Sequence, residues 1–305
     1  MSVIQKIMSI TNAVIRKGYW YNNTFFPECQ KFNQYNTFNT KVINLGSSSA
    51  VAAFDYDGLN IRGANFALSR NPLVGDWGIL MNYLSYLKEG ESTVIVTLCP
   101  FSSLSGSYDY LDDRYYRILY PTVIPNYSYT HYMRVRERMD NPIMYYPFYA
   151  PFVDLYKLIF KNKKDKVLSE SQLAADADQR YKSWLDEFSI SDMSEPLSLR
   201  NKDSIEDAIE IINKIVLLCR EHDFKVYIVI PPVYKTLGAK FNEDVCSMLI
   251  DPLINNLIDN NVPFYNYMND SEISGNNALF KSSFLMNKKG AKQFTRKLLK
   301  DINLI

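Results

Sequence analysis

The chain has 305 residues, 47% of them hydrophobic and 22% charged, which is enough apolar material for one large domain with an insertion or for two domains. A net charge of +1 gives no global attraction to nucleic acid or to an anionic surface, and no stretch reaches the ~20 apolar residues of a transmembrane helix. Cys29, Cys99, Cys219 and Cys246 lie far apart without a CxxC pair, which argues against a disulfide or zinc framework and for buried thiols in a cytoplasmic protein.

At the N-terminus, Gln5, Lys6, Asn12 and Arg16 interrupt any secretory signal. Ile4, Ile7, Ile10, Val14 and Ile15 keep helical spacing and predict an amphipathic helix packed on the domain, with a position on a membrane surface as the alternative. Strands are predicted at Val42–Leu45, roughly Leu59–Phe66, Thr93–Leu98, Lys225–Ile230 and Pro263–Tyr267. A helix over Asp76–Glu89 should end at Gly90, and another over Ser204–Glu221 follows Asp203, with Glu206 completing a capping box. A last helix runs from Lys289 to about Ile302.

Strands alternating with helices predict a doubly wound, five-stranded parallel sheet formed by residues 1–105 and 199–305. The pattern stops over residues 106–198, a mostly helical insertion after the third strand. Its first half is crowded with tyrosines (Tyr108, Tyr110, Tyr115, Tyr116, Tyr120, Tyr127, Tyr129, Tyr132, Tyr145, Tyr146, Tyr149). Charge-rich helical patterns follow at Lys161–Lys166 and Ala174–Phe188. The tyrosines can stack on sugar rings or form the insertion's own core.

The strongest local signal for chemistry is Asn44-Leu-Gly-Ser-Ser-Ser-Ala50. A strand ends, a glycine turns, and Ser48 opens a helix whose N–H groups favour negative charge; the alternative is that these serines only cap the helix. Other candidates carry an ordinary reading beside the functional one. Asp55 and Asp57 read as a solvated face or a carboxylate pair, Arg70 as a surface ion pair or an anchor for an anionic group, and Arg134, Arg136 and Arg138 as a basic face. Tyr234 and Lys235 either line a pocket or close the turn after the fourth strand. His131 and His222 are the only histidines; His131, in the insertion, reads as a hydrogen-bonded structural group or as a base over the site, and His222 is expected at the opposite edge of the sheet from Ser48. No P-loop, GxGxxG or metal-ligand spacing is present, so no cofactor or metal is expected.

Strand, Gly46-Ser47-Ser48, helix resembles the first block of the SGNH/GDSL hydrolases, and Asn65-Phe-Ala67 is similar to their second. The tail Ser282-Ser-Phe-Leu-Met-Asn-Lys-Lys-Gly-Ala291 is similar to their fourth, matching at Asn287, Gly290 and Ala291. The resemblance covers about two thirds of the chain. It implies a flavodoxin-like fold, Ser48 as nucleophile, and an oxyanion hole from the Ser48 and Ala67 N–H groups assisted by Ser102 or Ser103. Ser47, Asn65, Arg70, Tyr234, Leu285 and Asn287 would then line the substrate site. The triad is nevertheless broken. Ser282 stands at the family's aspartate and Leu285 at its histidine, and the third block lacks its asparagine. Without a base a serine hydroxyl is a poor nucleophile, so Ser282 or a bound water would have to substitute.

Cys99-Pro-Phe-Ser-Ser103 and the tyrosine-rich insertion look like SGNH-like proteins of bacterial surface-polysaccharide clusters. The resemblance therefore implies a partner that is a glycan or an acylated small molecule. Either the chain binds it without ordinary esterase activity, or it is a carbohydrate esterase or O-acyltransferase with an unconventional base. An enzyme of another class on the same sheet edge is a third expectation.

Overall fold

The computed structural model describes residues 2–34, 39–106, 112–160 and 167–305. Tyr108, Tyr110 and the helix predicted over Lys161–Lys166 lie outside the described residues. All five predicted strands form, as β1 (Val42–Gly46), β2 (Gly63–Asn65), β3 (Thr93–Thr97), β4 (Lys225–Ile230) and β5 (Phe264–Asn266). They pair in parallel in the order β2-β1-β3-β4-β5, the flavodoxin-like order, so the sheet reverses direction between β1 and β3.

The burial of β1 and β3 follows from their sequence, since each is apolar on both faces and is covered on both. Val42, Ile95 and Val229 share a core with residues of helices α2 (Ser48–Ala53) and α8 (Lys288–Asp301), where Phe294 and Leu298 are fully buried. Ile43, Leu45, Val94, Val96 and Ile228 alternate with these residues, point to the opposite face, and are equally buried. Helices α3 (Leu73–Tyr83) and α7 (Leu199–Glu221) pack on one another.

Several helix boundaries differ from expectation, α3 starting at Leu73 and the helix expected from Ala174 at Glu170, and two differences have a clear local cause. Helix α7 begins five residues before Ser204, because Ser198 caps it by accepting from the Asn201 N–H at 3.2 Å; Asp203 lies inside the helix. Helix α3 ends at Tyr83, and Gly90, with φ of 70°, shapes the turn into β3 instead of capping the helix.

The chain divides into two compact units, one of residues 37–108 and 165–305 that carries the sheet, and one of residues 1–36 and 109–164. This division differs from an insertion over 106–198. Helix α6 (Glu170–Glu187) belongs to the sheet unit, burying Leu173, Ala177 and Trp184, with Trp184 and Phe188 against Phe101. The N-terminal helix α1 (Val3–Lys17) belongs to the helical unit together with α4 (Tyr129–Asp140) and α5 (Ala150–Ile159). The amphipathic helix is present, but its apolar stripe is not packed. Only Asn12 and Ile15 are buried, whereas Val3, Ile4, Ile7, Ile10 and Val14 are each at least 59% exposed.

Tyrosines of the helical unit differ in burial. Tyr115 and Tyr116 are buried, whereas Tyr120, Tyr127, Tyr129, Tyr145 and Tyr149 are exposed. All four cysteines are free, and among the described residues no helix is long and apolar enough to cross a membrane.

Candidate functional site

Gly46 ends β1 with φ of 129°, and a Cβ there would stand 2.6 Å from the Thr97 carbonyl oxygen, so the turn requires glycine on two counts. Its N–H donates to Asp76 Oδ1 at 2.9 Å, and its carbonyl accepts from the Leu68 N–H at 3.1 Å. Asp76, in the first turn of α3, also accepts from Asn71 Nδ2 at 2.6 Å. Burial pushes the Asp76 carboxyl up to about 7, against the downward pull of these two hydrogen bonds. A buried acid therefore clamps the turn from beneath, a role hidden in the sequence, where Asp76 reads only as a helix start.

Ser47 is the N-cap of α2 in extended backbone, yet its side chain makes no capping hydrogen bond. The half-buried Ser48 follows, and its Oγ accepts from the Arg70 backbone N–H at 3.1 Å. Arg70 reaches this position in the left-handed region, at φ of 59°. Its exposed guanidinium enters no ion pair among the described residues, unlike the surface pairing expected for it. At this switch point between β1 and β3 the geometry brings together Ser47, Ser48 and Arg70.

The remaining expected site residues are engaged in structure. Asn65 is buried; its Nδ2 donates to the carbonyls of Ala50 and Phe54, both at 3.1 Å, and of Val51 at 3.3 Å, closing the C-terminal end of α2. Its Oδ1 accepts from Asn44 Nδ2 at 3.0 Å and from the Ala67 N–H at 3.1 Å. The Ala67 N–H is thereby spent inside the fold, and Ala67 is fully buried, so the oxyanion role expected of it is corrected. Ser102 Oγ accepts from the Cys99 N–H at 2.8 Å and donates to Cys99 Sγ at 3.3 Å, closing the turn after β3. Ser103 is fully buried with a hydroxyl that has no hydrogen-bond partner among the described residues.

Tyr234 is withdrawn from the surface. It is fully buried, its N–H donates to the Ser283 carbonyl at 2.7 Å, and its ring lies edge-on to Phe280 at 5.7 Å. Lys235 is paired with Glu170 at 3.2 Å. Ser282 Oγ accepts from the N–H of half-buried Leu285 at 3.1 Å, which holds the loop before α8. Asn287 caps α8, accepting from the Gly290 N–H at 3.0 Å and donating to the Ala278 carbonyl at 2.8 Å. Its match to the family tail is explained by capping chemistry alone.

Among the described residues neither histidine is a hydrogen-bond partner of Ser48. His131 is paired with Asp113 at 2.7 Å in the helical unit, and His222 ends α7 stacked on Phe224. Asp55 accepts from the Asp57 N–H at 2.9 Å in an exposed turn. Arg136 and Arg138 are paired with Asp140 and Asp113, at 3.1 and 2.8 Å. Arg134 bonds His131 Nδ1 at 2.6 Å. Among the described residues no cluster of three or more His, Cys, Asp or Glu side chains has the arrangement to hold a metal. No protein-family model and no curated protein matches the chain.

Proposed function

We propose that the sheet unit is an SGNH-like domain that binds a glycan carrying an anionic group, at the end of β1, without ordinary esterase turnover. The observation that carries this is the Ser48 hydroxyl itself. It stands half-buried at the switch point, accepts from the Arg70 N–H, and has among the described residues neither imidazole nor carboxylate as a hydrogen-bond partner. An alcohol so placed keeps its proton and serves as a hydrogen-bond donor to a ligand oxygen. Ser47 adds a second hydroxyl free of capping duty, and the Arg70 guanidinium adds a cation suited to a carboxylate or phosphate. A role in bacterial surface-polysaccharide metabolism rests on the resemblance of Cys99-Pro-Phe-Ser-Ser103 and the tyrosine-rich segment.

A fluorophosphonate probe tests the absence of an activated serine. Folded wild-type protein should remain unlabelled, as should Ser48→Ala. Labelling of wild type that disappears in Ser48→Ala would establish a serine esterase or acyltransferase instead. Calorimetric titration with uronic-acid or phosphate-bearing oligosaccharides tests binding, which Arg70→Ala should weaken about tenfold or more. Binding unchanged in Arg70→Ala would remove this site.

A further inference from the structure

Twenty of the large apolar side chains exposed among the described residues belong to the helical unit, against five in the sheet unit. They are not scattered. On α1, Val3, Ile4, Ile7, Ile10 and Val14 recur at three- and four-residue spacing and make one stripe along the helix. On α5, Phe152, Leu155, Leu158 and Ile159 are each at least 55% exposed. Asp154 of α5 ties that helix to the segment just after α1, its carboxylate accepting from the Trp20 N–H at 2.6 Å, and it also accepts from the Tyr146 hydroxyl at 2.7 Å. Val14 of the α1 stripe and Leu155 and Leu158 of α5 line a single groove. Exposed apolar side chains concentrated in this way on one folded unit mark something that covers them.

Charge and composition say what that is. Residues 2–27 contain Lys6, Arg16 and Lys17 and neither aspartate nor glutamate. At the helical pitch Lys6 and Lys17, both exposed, border the apolar stripe on one side. Long cationic side chains in that position bury their stems and reach anionic headgroups. Tyr19, Tyr149 and Tyr156 are exposed on the same two helices or beside them, and such rings with a polar tip favour the boundary between hydrocarbon and water. A second copy fits less well, because pairing two acid-free α1 stripes would bring lysine against lysine. We infer that the α1–α5 face of the helical unit docks on an anionic phospholipid surface, α1 lying in the plane of the interface. The inference uses no residue of the proposed glycan site and stands apart from it.

Co-sedimentation of the full chain with vesicles tests it. Phosphatidylcholine vesicles containing phosphatidylglycerol should carry the protein down, with affinity about tenfold or more above phosphatidylcholine alone. The exposed pair Ile7→Glu with Ile10→Glu should lose binding about a hundredfold or more while keeping its circular dichroism, and Lys6→Glu with Lys17→Glu should lose the preference for anionic lipid. Ile258→Glu, an exposed position of the sheet unit, should bind like wild type. Wild type that stays in the supernatant overturns the inference, as does equal sedimentation of the Ile7/Ile10 variant. It is overturned equally by light scattering that shows a stable dimer, dissociated by that variant, with no vesicle binding.

Discussion

The Ala67 N–H donates to Asn65 Oδ1 at 3.1 Å, so the donor that the family resemblance assigns to an oxyanion is consumed by the neighbouring side chain. The same amide group closes the carbonyl end of α2 through its Nδ2. One asparagine thus ties β1, β2 and α2 together, and its worth lies in stability.

Asn65→Ala should therefore destabilise the fold by about 2–4 kcal/mol, since it removes the donor to the buried carbonyls at the end of α2 and the acceptor of the Ala67 N–H. Asn65→Asp should also destabilise, because a carboxylate cannot donate to those carbonyls. Urea unfolding measures both. A midpoint unchanged in Asn65→Ala would mean that the network is not what holds this corner of the sheet.

Asp76 gives the fold a pH dependence of known sign. Its folded value of about 7 lies above the ordinary 3.8, so in that window the folded protein holds a proton that the unfolded chain has released. The contribution to stability is then fully present below the lower value and declines as pH rises to the upper one, by up to roughly 4 kcal/mol. Asp76→Asn keeps an acceptor for the Gly46 N–H and has no proton to lose. The difference in unfolding free energy between variant and wild type should therefore favour the variant more at about pH 8 than at about pH 5. A difference that stays constant with pH would show that the carboxyl titrates normally.

Much of this was legible in the sequence. Runs that are apolar on both faces locate β1 and β3, because a covered parallel sheet tolerates them, and Gly46 announces its turn, whereas β2 and β5 are three-residue strands with a weaker pattern. What covers an apolar stripe is not legible, since Ile4, Ile7 and Ile10 have the same spacing whether they meet a core or water. The roles of Asn65 and Asp76 were hidden for a related reason. Each depends on a backbone group brought close by the tertiary fold, the end of α2 for one and the Gly46 N–H for the other. Local pattern also misplaced the start of α7, where the serine at 198 caps a turn before the expected Asp203 box.

Restoring the missing dyad tests the family resemblance directly. Leu285 and Ser282 are half-buried in the loop before α8, so new polar side chains there meet no closed core. Leu285→His with Ser282→Asp should make Ser48 react with fluorophosphonate, and the label should vanish when Ser48→Ala is added. Turnover on simple esters should rise only modestly, because the Ala67 N–H is already engaged. A folded double variant that stays unlabelled would separate residues 282–291 from the family's acid–base block.

Helix α6 is held to the loop before α8 by one carboxylate. Asp176 Oδ2 accepts from both the N–H and the hydroxyl of Ser283, at 2.7 and 2.5 Å, and Ser283 is fully buried. Charge-assisted bonds of this length are the stronger kind, and removing their acceptor strands two buried donors. Asp176→Ala should cost about 2–3 kcal/mol, whereas Ser283→Ala, which keeps the N–H bond and removes the hydroxyl cleanly, should cost about 1 kcal/mol. Added to Ser283→Ala, Asp176→Ala should cost less than it does alone, because one of its two donors is already gone. A double-mutant cycle by chemical denaturation would reveal this coupling. Strict additivity would show that the two side chains act independently.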